Sequence, residues 1–413
     1  MKLLINLCSH DGIISYYTGV GTMVKRNIKA LINYLNENNI DYHINLITPE
    51  YNCDSFGYSK MTYLEHVNLN NISIVQISNG SDGKVNYGTI EHWHKLSENV
   101  AKYINKIDIS GYDKVITFLH DTTLAGVIER LNINKKHKKV WIPHSTIKIH
   151  LVDSAIENSE MFYQDRVTWE QSAIDYINKD DLSYVGTICE YIKYHLIEEY
   201  NLDESKALAI HNGELFEDEI VSFADKCKSL YKDIEQFDSI MISFARAEEY
   251  KNLESTMLLG KEMGIDTVVI AQSYYKEQPI LEKYRTLAKE TNTNLYIDPP
   301  FEFSKYILYK FDKPIIALIP SKKEVMGLII NELRKLNKDN ILIVANNIGG
   351  LTEQIIDGVD GLLVDLEDLT SSKDKIEKYF MSDKMRKLNE NAQVTLKTRY
   401  NFQNNFNEFM GKL

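Results

Sequence analysis

Short apolar runs of strand length alternate with longer stretches of helical spacing along the whole chain, and few folds accept that alternation. In the first half the runs are Lys2–Leu7, His43–Thr48, Ser73–Ile77, Lys114–Phe118, Lys139–Ile142, Ser183–Val185 and Ala207–Ile210. In the second half they are Ser239–Phe244, Thr267–Ala271, Asn294–Ile297, Pro314–Ile319, Ile341–Val344 and Gly361–Val364. Strand, helix, strand, helix predicts an α/β fold with a parallel sheet covered on both faces. Two such series predict two doubly wound, Rossmann-like domains, which suits 413 residues at ~100–200 residues per domain. Sheets of this kind bind ligands at the carboxyl ends of their strands.

The expected division is residues 1–215, a linker region 216–238, a second domain 239–395 and a terminal helix 396–413. The linker follows Asn212-Gly213, is acidic, and carries one helical segment over Asp218–Tyr231. A net charge of −12 argues against a nucleic-acid partner, which needs basic surface to meet phosphates. Cys8, Cys53, Cys189 and Cys227 form no Cys-x-x-Cys pair, so neither a disulfide framework nor a zinc knuckle is expected, and a reduced, cytoplasmic setting fits. Met1–Leu7 is too short an apolar run for a secretory leader, and no run approaches the ~18 apolar residues of a membrane span. Lys25, Arg26 and Lys29 share an early helix and could meet anionic lipid peripherally; a solvated helix face is the plainer reading.

Several strand ends carry chemistry. Thr18-Gly19-Val20-Gly21-Thr22 joins the first strand region to a helix, where glycine allows close backbone approach and a helix N-terminus offers N–H groups to an anion. Phe244-Ala245-Arg246 closes a strand and Lys251-Asn252 follows. That pair either clamps a diphosphate or is two solvated cations among Glu248, Glu249 and Glu254. Glu324 lies in the loop Pro320–Leu328 and Glu332 on the next helix, where a carboxylate could accept from paired ribose hydroxyls. Asn346–Glu353, with Gly349-Gly350, is a second glycine loop and a second candidate anion cradle.

Taken together these motifs resemble the family 4 glycosyltransferases, retaining enzymes of the GT-B fold. The resemblance rests on Arg246 to Lys251-Asn252, Pro320-Ser321, Glu324 to Glu332 around Gly327-Leu328, Gly349-Gly350 to Glu353, and Gly361-Leu362-Leu363-Val364, in the family's order. Asn212-Gly213 near Phe216, Gly19-Val20-Gly21 and the strand-ending His120 extend it more loosely into the first half. Ala245 stands where the family usually has glycine, and Asp298-Pro299-Pro300 where many members have a glycine turn beside the base.

The resemblance implies two Rossmann-like domains facing across a cleft, with the C-terminal helix packing back on the N-terminal domain. It implies that Arg246 and Lys251 hold a donor diphosphate, that Glu332 accepts from the ribose, and that Glu324 sits near the transferred sugar. Backbone N–H groups of Met326, Gly327 and Leu328 would help hold sugar and phosphate. Gly19 and Gly21 would contribute from the other domain, with His120 facing the sugar and His144 lining the site. The expected partners are a nucleotide sugar and a hydroxyl acceptor, with no cofactor and no metal. No Asp-x-Asp pair occurs in the chain, and His92 and His94, two apart on a helical stretch, point to different faces. The alternatives are a non-catalytic nucleotide- or sugar-binding subunit and a GT-B-type sugar-nucleotide epimerase. The donor base, the sugar and the acceptor are not legible.

Overall fold

The computed structural model of the chain describes residues 1–55, 57–132, 136–150, 159–216, 223–273 and 278–413. Residues 217–222 of the linker region and 151–158 lie outside the described residues. The chain forms two units, Met1–Leu215 with Phe402–Leu413, and Phe216–Asn401.

The first unit holds strands β1 (Lys2–Cys8), β2 (Asp41–Pro49), β3 (Ile72–Ile77), β4 (Lys114–His120), β5 (His137–Ile142), β6 (Ser183–Thr187) and β7 (Ala207–Ala209). Its helices are α1 (Gly19–Glu37), α2 (Lys60–Val67), α3 (Ile90–Ile104), α4 (Ile147–His150), α5 (Ser159–Lys179) and α6 (Glu190–Tyr200). The sheet runs β3-β2-β1-β4-β5-β6-β7, and the strand pairs are parallel. β1 is buried from Leu3 to Cys8, as a strand covered on both faces must be. A polar ladder crosses this apolar sheet. Asn45 donates to Asn6 at 3.0 Å, Asn6 to Thr117 at 3.2 Å, and Thr117 meets His137 at 2.8 Å. A one-residue slip would leave those buried groups without partners, so the ladder fixes the register.

The second unit holds α7 (Asp225–Tyr231), β8 (Ile240–Arg246), α8 (Leu253–Met263), β9 (Thr267–Gln272), α9 (Pro279–Thr291), β10 (Asn294–Ile297) and α10 (Phe303–Lys310). It continues with β11 (Ile315–Ile319), α11 (Leu328–Leu336), β12 (Ile341–Asn346), α12 (Leu351–Gln354), β13 (Leu362–Val364), α13 (Leu369–Glu377) and α14 (Asp383–Thr398). The order is β10-β9-β8-β11-β12-β13, again parallel. Core residues such as Ile242, Val268, Ile315 and Ile343 lie on one side and Met241, Ile316, Leu342 and Val344 on the other, following the two-residue period of a strand.

The last helix, α15 (Phe402–Lys412), belongs to the first unit. Phe402, Phe406 and Phe409 are buried, each contributing about 1.5–3 kcal/mol at most, and Phe409 packs on Phe118 of β4 at 5.9 Å between ring centres. Gln403 donates to the Ala30 carbonyl at 3.1 Å and Asn405 to that of His211 at 3.0 Å. Among the described residues no helix is long and apolar enough to cross a membrane.

One ion pair is enclosed within the second unit. Arg334 of α11 and Asp360 have wholly buried side chains 3.1 Å apart. Arg334 also donates to the Gln354 carbonyl at 2.8 Å and to Asn331 at 3.2 Å, and lies 5.3 Å from the Tyr400 ring centre. Thr395 of α14 donates to Asp360 at 2.8 Å. Removing one partner strands the other charge in a low-dielectric interior. Asp360→Ala should cost about 3–5 kcal/mol, read as a lower urea midpoint. The double substitution Arg334→Met, Asp360→Leu should recover much of the loss. A single variant as stable as the parent would contradict the pairing.

Candidate active site

β8 and β11 are neighbours, yet the chain builds outward from them in opposite directions, through β9 and β10 on one side and β12 and β13 on the other. Sheets of this kind take ligands at such a reversal, beside the loops that leave the carboxyl ends of the two strands. Arg246 ends β8. Its guanidinium is 3.1 Å from Glu248 and donates to the Tyr250 hydroxyl. Lys251 follows in a single 3-10 turn, and its ammonium lies 2.7 Å from Glu324 and 5.0 Å from the Tyr250 ring centre. The loop after β11 is tied to this turn. Asn252, in the left-handed region at φ 54°, donates to the Pro320 carbonyl at 3.1 Å, and the Lys322 N–H donates to that of Tyr250 at 2.7 Å. Burial pushes the Tyr250 phenol well above its ordinary range, so it stays a neutral donor between the two cations.

Thus Arg246, Lys251 and Glu324 come together around Tyr250. Met326 and Gly327 form the turn into α11, Leu328 is the first helical residue, and Glu332 is half-buried on the second turn. Of the three backbone N–H groups expected to face a ligand, that of Gly327 is committed to the Gln354 side chain at 2.8 Å. The second anion cradle expected at Asn346–Glu353 is not built as one. The Gly350 N–H donates to the Glu324 carbonyl at 2.9 Å. A Cβ on Gly350 would lie 1.6 Å from the Val325 carbonyl oxygen, so glycine there serves backbone packing against the Glu324 loop. At Asp298, φ 49°, the carboxylate accepts from the Ser273 N–H and hydroxyl, each at 2.6 Å, and joins the loops after β9 and β10.

The first unit has its own reversal, between β1 and β4. His120 ends β4 and is fully buried; its Nδ1 lies 3.2 Å from Nε2 of His144, which follows β5, and the rings stack with centres 5.5 Å apart. His10, after β1, is buried with its Nδ1 3.6 Å from the Asp121 carboxylate. Asp121 has φ 70°, a strained conformation for a side chain of this type. Beside them the buried Glu170 accepts from Arg166 at 2.8 Å, Thr122 at 2.9 Å and Tyr200 at 2.6 Å, and anchors α5 to the end of β4.

Gly19 and Gly21 lie in the first turn of α1, after the cap residue Thr18. Gly19 is exposed at the helix start. Gly21 passes over the buried carboxylate of Asp11, where a Cβ would come within 2.5 Å of Oδ2. Asp11 accepts from the Gly12 N–H, the Ser15 hydroxyl and the Thr18 N–H, each at 2.9 Å, and from the Thr18 hydroxyl at 2.6 Å. His10, Asp11, Asp121, Tyr250 and Gln354 were not singled out from sequence. The signal for the first two was their place directly after β1. His92 caps α3 through Thr89, while His94 packs edge-on against Trp169, so the two part as their spacing predicts. On α1, Lys25 pairs with Glu65 at 2.7 Å and Arg26 with Glu214 at 2.6 Å.

No family model matches the chain. Over 314 residues, 74% of this chain and 74% of the relative, it is 24% identical to an uncharacterised glycosyltransferase of Methanocaldococcus jannaschii. Its fold covers 99% of the chain and 97% of sucrose-phosphate synthase from Thermosynechococcus elongatus, with a TM-score of 0.73 at 16% identity. It likewise covers 99% of the chain and 98% of Anabaena HepE, solved in complex with UDP-glucose, with a TM-score of 0.66 at 13% identity. The fold is that of the GT-B glycosyltransferases. The archaeal relative is named a glycosyltransferase, and sucrose-phosphate synthase shares the two-domain fold.

Burial pushes His120 well below the ordinary histidine value, and His144 down to about 4, helped in each case by neighbouring imidazoles. Burial also brings His137 and His195 to about 4. All four are neutral at pH 7, so His120 and His144 can exchange hydrogen bonds with a hydroxyl but carry no charge to it. Each imidazole is harder to protonate folded than unfolded. The unfolded chain therefore binds more protons below 6.5, and stability falls there with pH. Stability should be full above about pH 6.5 and lost as the pH drops toward 4, read as a falling urea midpoint. A midpoint constant from about pH 7 to 4.5 would contradict these environments.

Proposed function

We propose that the chain transfers a glycosyl group from a nucleotide sugar to a hydroxyl acceptor, with retention at the anomeric carbon. The observation that carries this reading is the cluster Arg246–Tyr250–Lys251–Glu324 at the strand reversal of the second unit. Two cations and a neutral phenol at a strand-end crevice are a site for a diphosphate. In the reaction the bond from the anomeric carbon to the diphosphate oxygen breaks and its electron pair stays with the diphosphate. The acceptor oxygen bonds to the same face of that carbon and passes its proton to the leaving phosphate. Arg246 and Lys251 neutralise the charge as it develops, and Glu324, already held by Lys251, faces the sugar. Glu332 accepts from the ribose hydroxyls. The Met326 and Leu328 N–H groups donate to sugar and phosphate; in the first unit His120 and His144 can donate to or accept from a hydroxyl, and Gly19 leaves the start of α1 open. Catalysis of this kind is positioning and electrostatic stabilisation.

UDP is the first base to test, because HepE was solved with UDP-glucose. Thermal shift against UDP, GDP, ADP and dTDP identifies it. No divalent ion is needed in this scheme, since the chain has no Asp-x-Asp pair and the two cations carry the neutralisation. The four cysteines are free and three are buried, which suits a reducing cytoplasm.

Arg246→Ala or Lys251→Ala should lower turnover on the order of 100-fold or more, with full activity of the parent in excess EDTA. Activity abolished by EDTA and restored by magnesium or manganese would overturn the mechanism. Glu332→Gln should weaken nucleotide binding by roughly 1–3 kcal/mol; calorimetry giving the parent affinity would remove Glu332 from the site.

A further inference from the structure

Gln354 ends the short helix α12, is 1% exposed, and belongs to no motif singled out in the sequence. Its side-chain amide makes two bonds to a single residue of the neighbouring loop. Oε1 accepts from the Gly327 N–H at 2.8 Å, and Nε2 donates to the Gly327 carbonyl at 3.1 Å. A side-chain amide that pairs with both polar groups of one backbone residue copies a strand ladder, and it fixes the orientation of both flanking peptides. Those peptides link Met326 to Gly327 and Gly327 to Leu328, in the turn that follows Glu324.

The clamp has a second point and a backing. The Gly350 N–H holds the Glu324 carbonyl at 2.9 Å, and Gly350 lies against Val325 so closely that no Cβ fits. Behind Gln354, its own carbonyl accepts from the buried Arg334 at 2.8 Å, and Arg334 is held by Asp360. The chain of contacts therefore runs from an enclosed ion pair through α12 to the loop that carries Glu324.

We propose that Gln354 is a positioning residue for the donor site: by holding both polar groups of Gly327 it aims the Met326–Leu328 turn and keeps Glu324 against Lys251. This rests on the nucleotide-sugar reading above. Gln354 touches no ligand in it and acts through Gly327.

The test uses the full chain and two variants. Gln354→Met keeps the volume and removes both bonds. Gln354→Glu keeps the acceptor but, while ionised, cannot donate to the Gly327 carbonyl; once protonated, it can. Calorimetry measures binding of UDP, GDP, ADP and dTDP, and hydrogen exchange follows the peptide over residues 324–330 in ligand-free protein. Gln354→Met should exchange faster in that peptide and bind the preferred nucleotide about tenfold more weakly. Gln354→Glu should bind weakly near pH 8 and recover as the pH is lowered toward 6, because a buried carboxyl titrates high. A purely structural role would not give that pH-dependent rescue. Parent-like affinity in Gln354→Met, or a Gln354→Glu affinity that does not change with pH, overturns the proposal. A parent protein that binds none of the four nucleotides rejects the nucleotide-sugar reading instead.

Discussion

Both sheets depend on one topological constraint. A right-handed crossover keeps adding strands on one side until the chain returns to the middle and builds the other way. At that reversal the two loops leaving adjacent strands have no shared ladder to hold them, and their backbone groups need other partners. In the first unit the partner is Asp11, whose buried carboxylate gathers the loop after β1 and the start of α1. In the second, the Gln354 amide and the Gly350 backbone hold the loop after β11. The chemistry-bearing side chains stand where the ladder stops.

The two reversals are tuned differently. In the second unit the cations are present before any ligand arrives, but each leans on a carboxylate, Arg246 on Glu248 and Lys251 on Glu324. The Arg246–Glu248 pair is partly exposed, so its net contribution to folding is small, while Lys251 and Glu324 are more deeply buried. In the first unit the imidazoles of His120 and His144 are kept neutral by burial, with the His10 imidazole acting on both. On the proposed reading, the site in the second unit meets charge and that in the first meets hydroxyls.

The strands were legible because a parallel strand buried on both faces writes itself as an apolar run, as Ile341–Asn346 does with every residue buried. The strand ends carried the motif residues, so Arg246, Lys251, Glu324, His120 and His144 could be named from the chain alone. The supports were not legible. Gln354 meets Gly327 across 27 residues, and a glutamine beside a Gly-Gly pair has no sequence pattern that distinguishes a clamp from a surface amide. Gly350 looked like a ligand cradle because glycine permits close approach to any backbone or anion alike; only the 1.6 Å clearance to Val325 tells which. Gly21 was legible as a close contact, but its partner is Asp11.

The placement of α15 has a consequence for how the protein is made. Phe402, Phe406 and Phe409 cover apolar surface that includes Phe118 of the first unit, yet they are the last part of that unit to leave the ribosome. While residues 216–401 are being synthesised, that surface lacks its own cover. Of the two units, the first to begin folding is therefore the last to finish, and the nascent chain carries an exposed apolar face while the whole of the second unit is made, a demand on chaperones that a domain contiguous in sequence does not make.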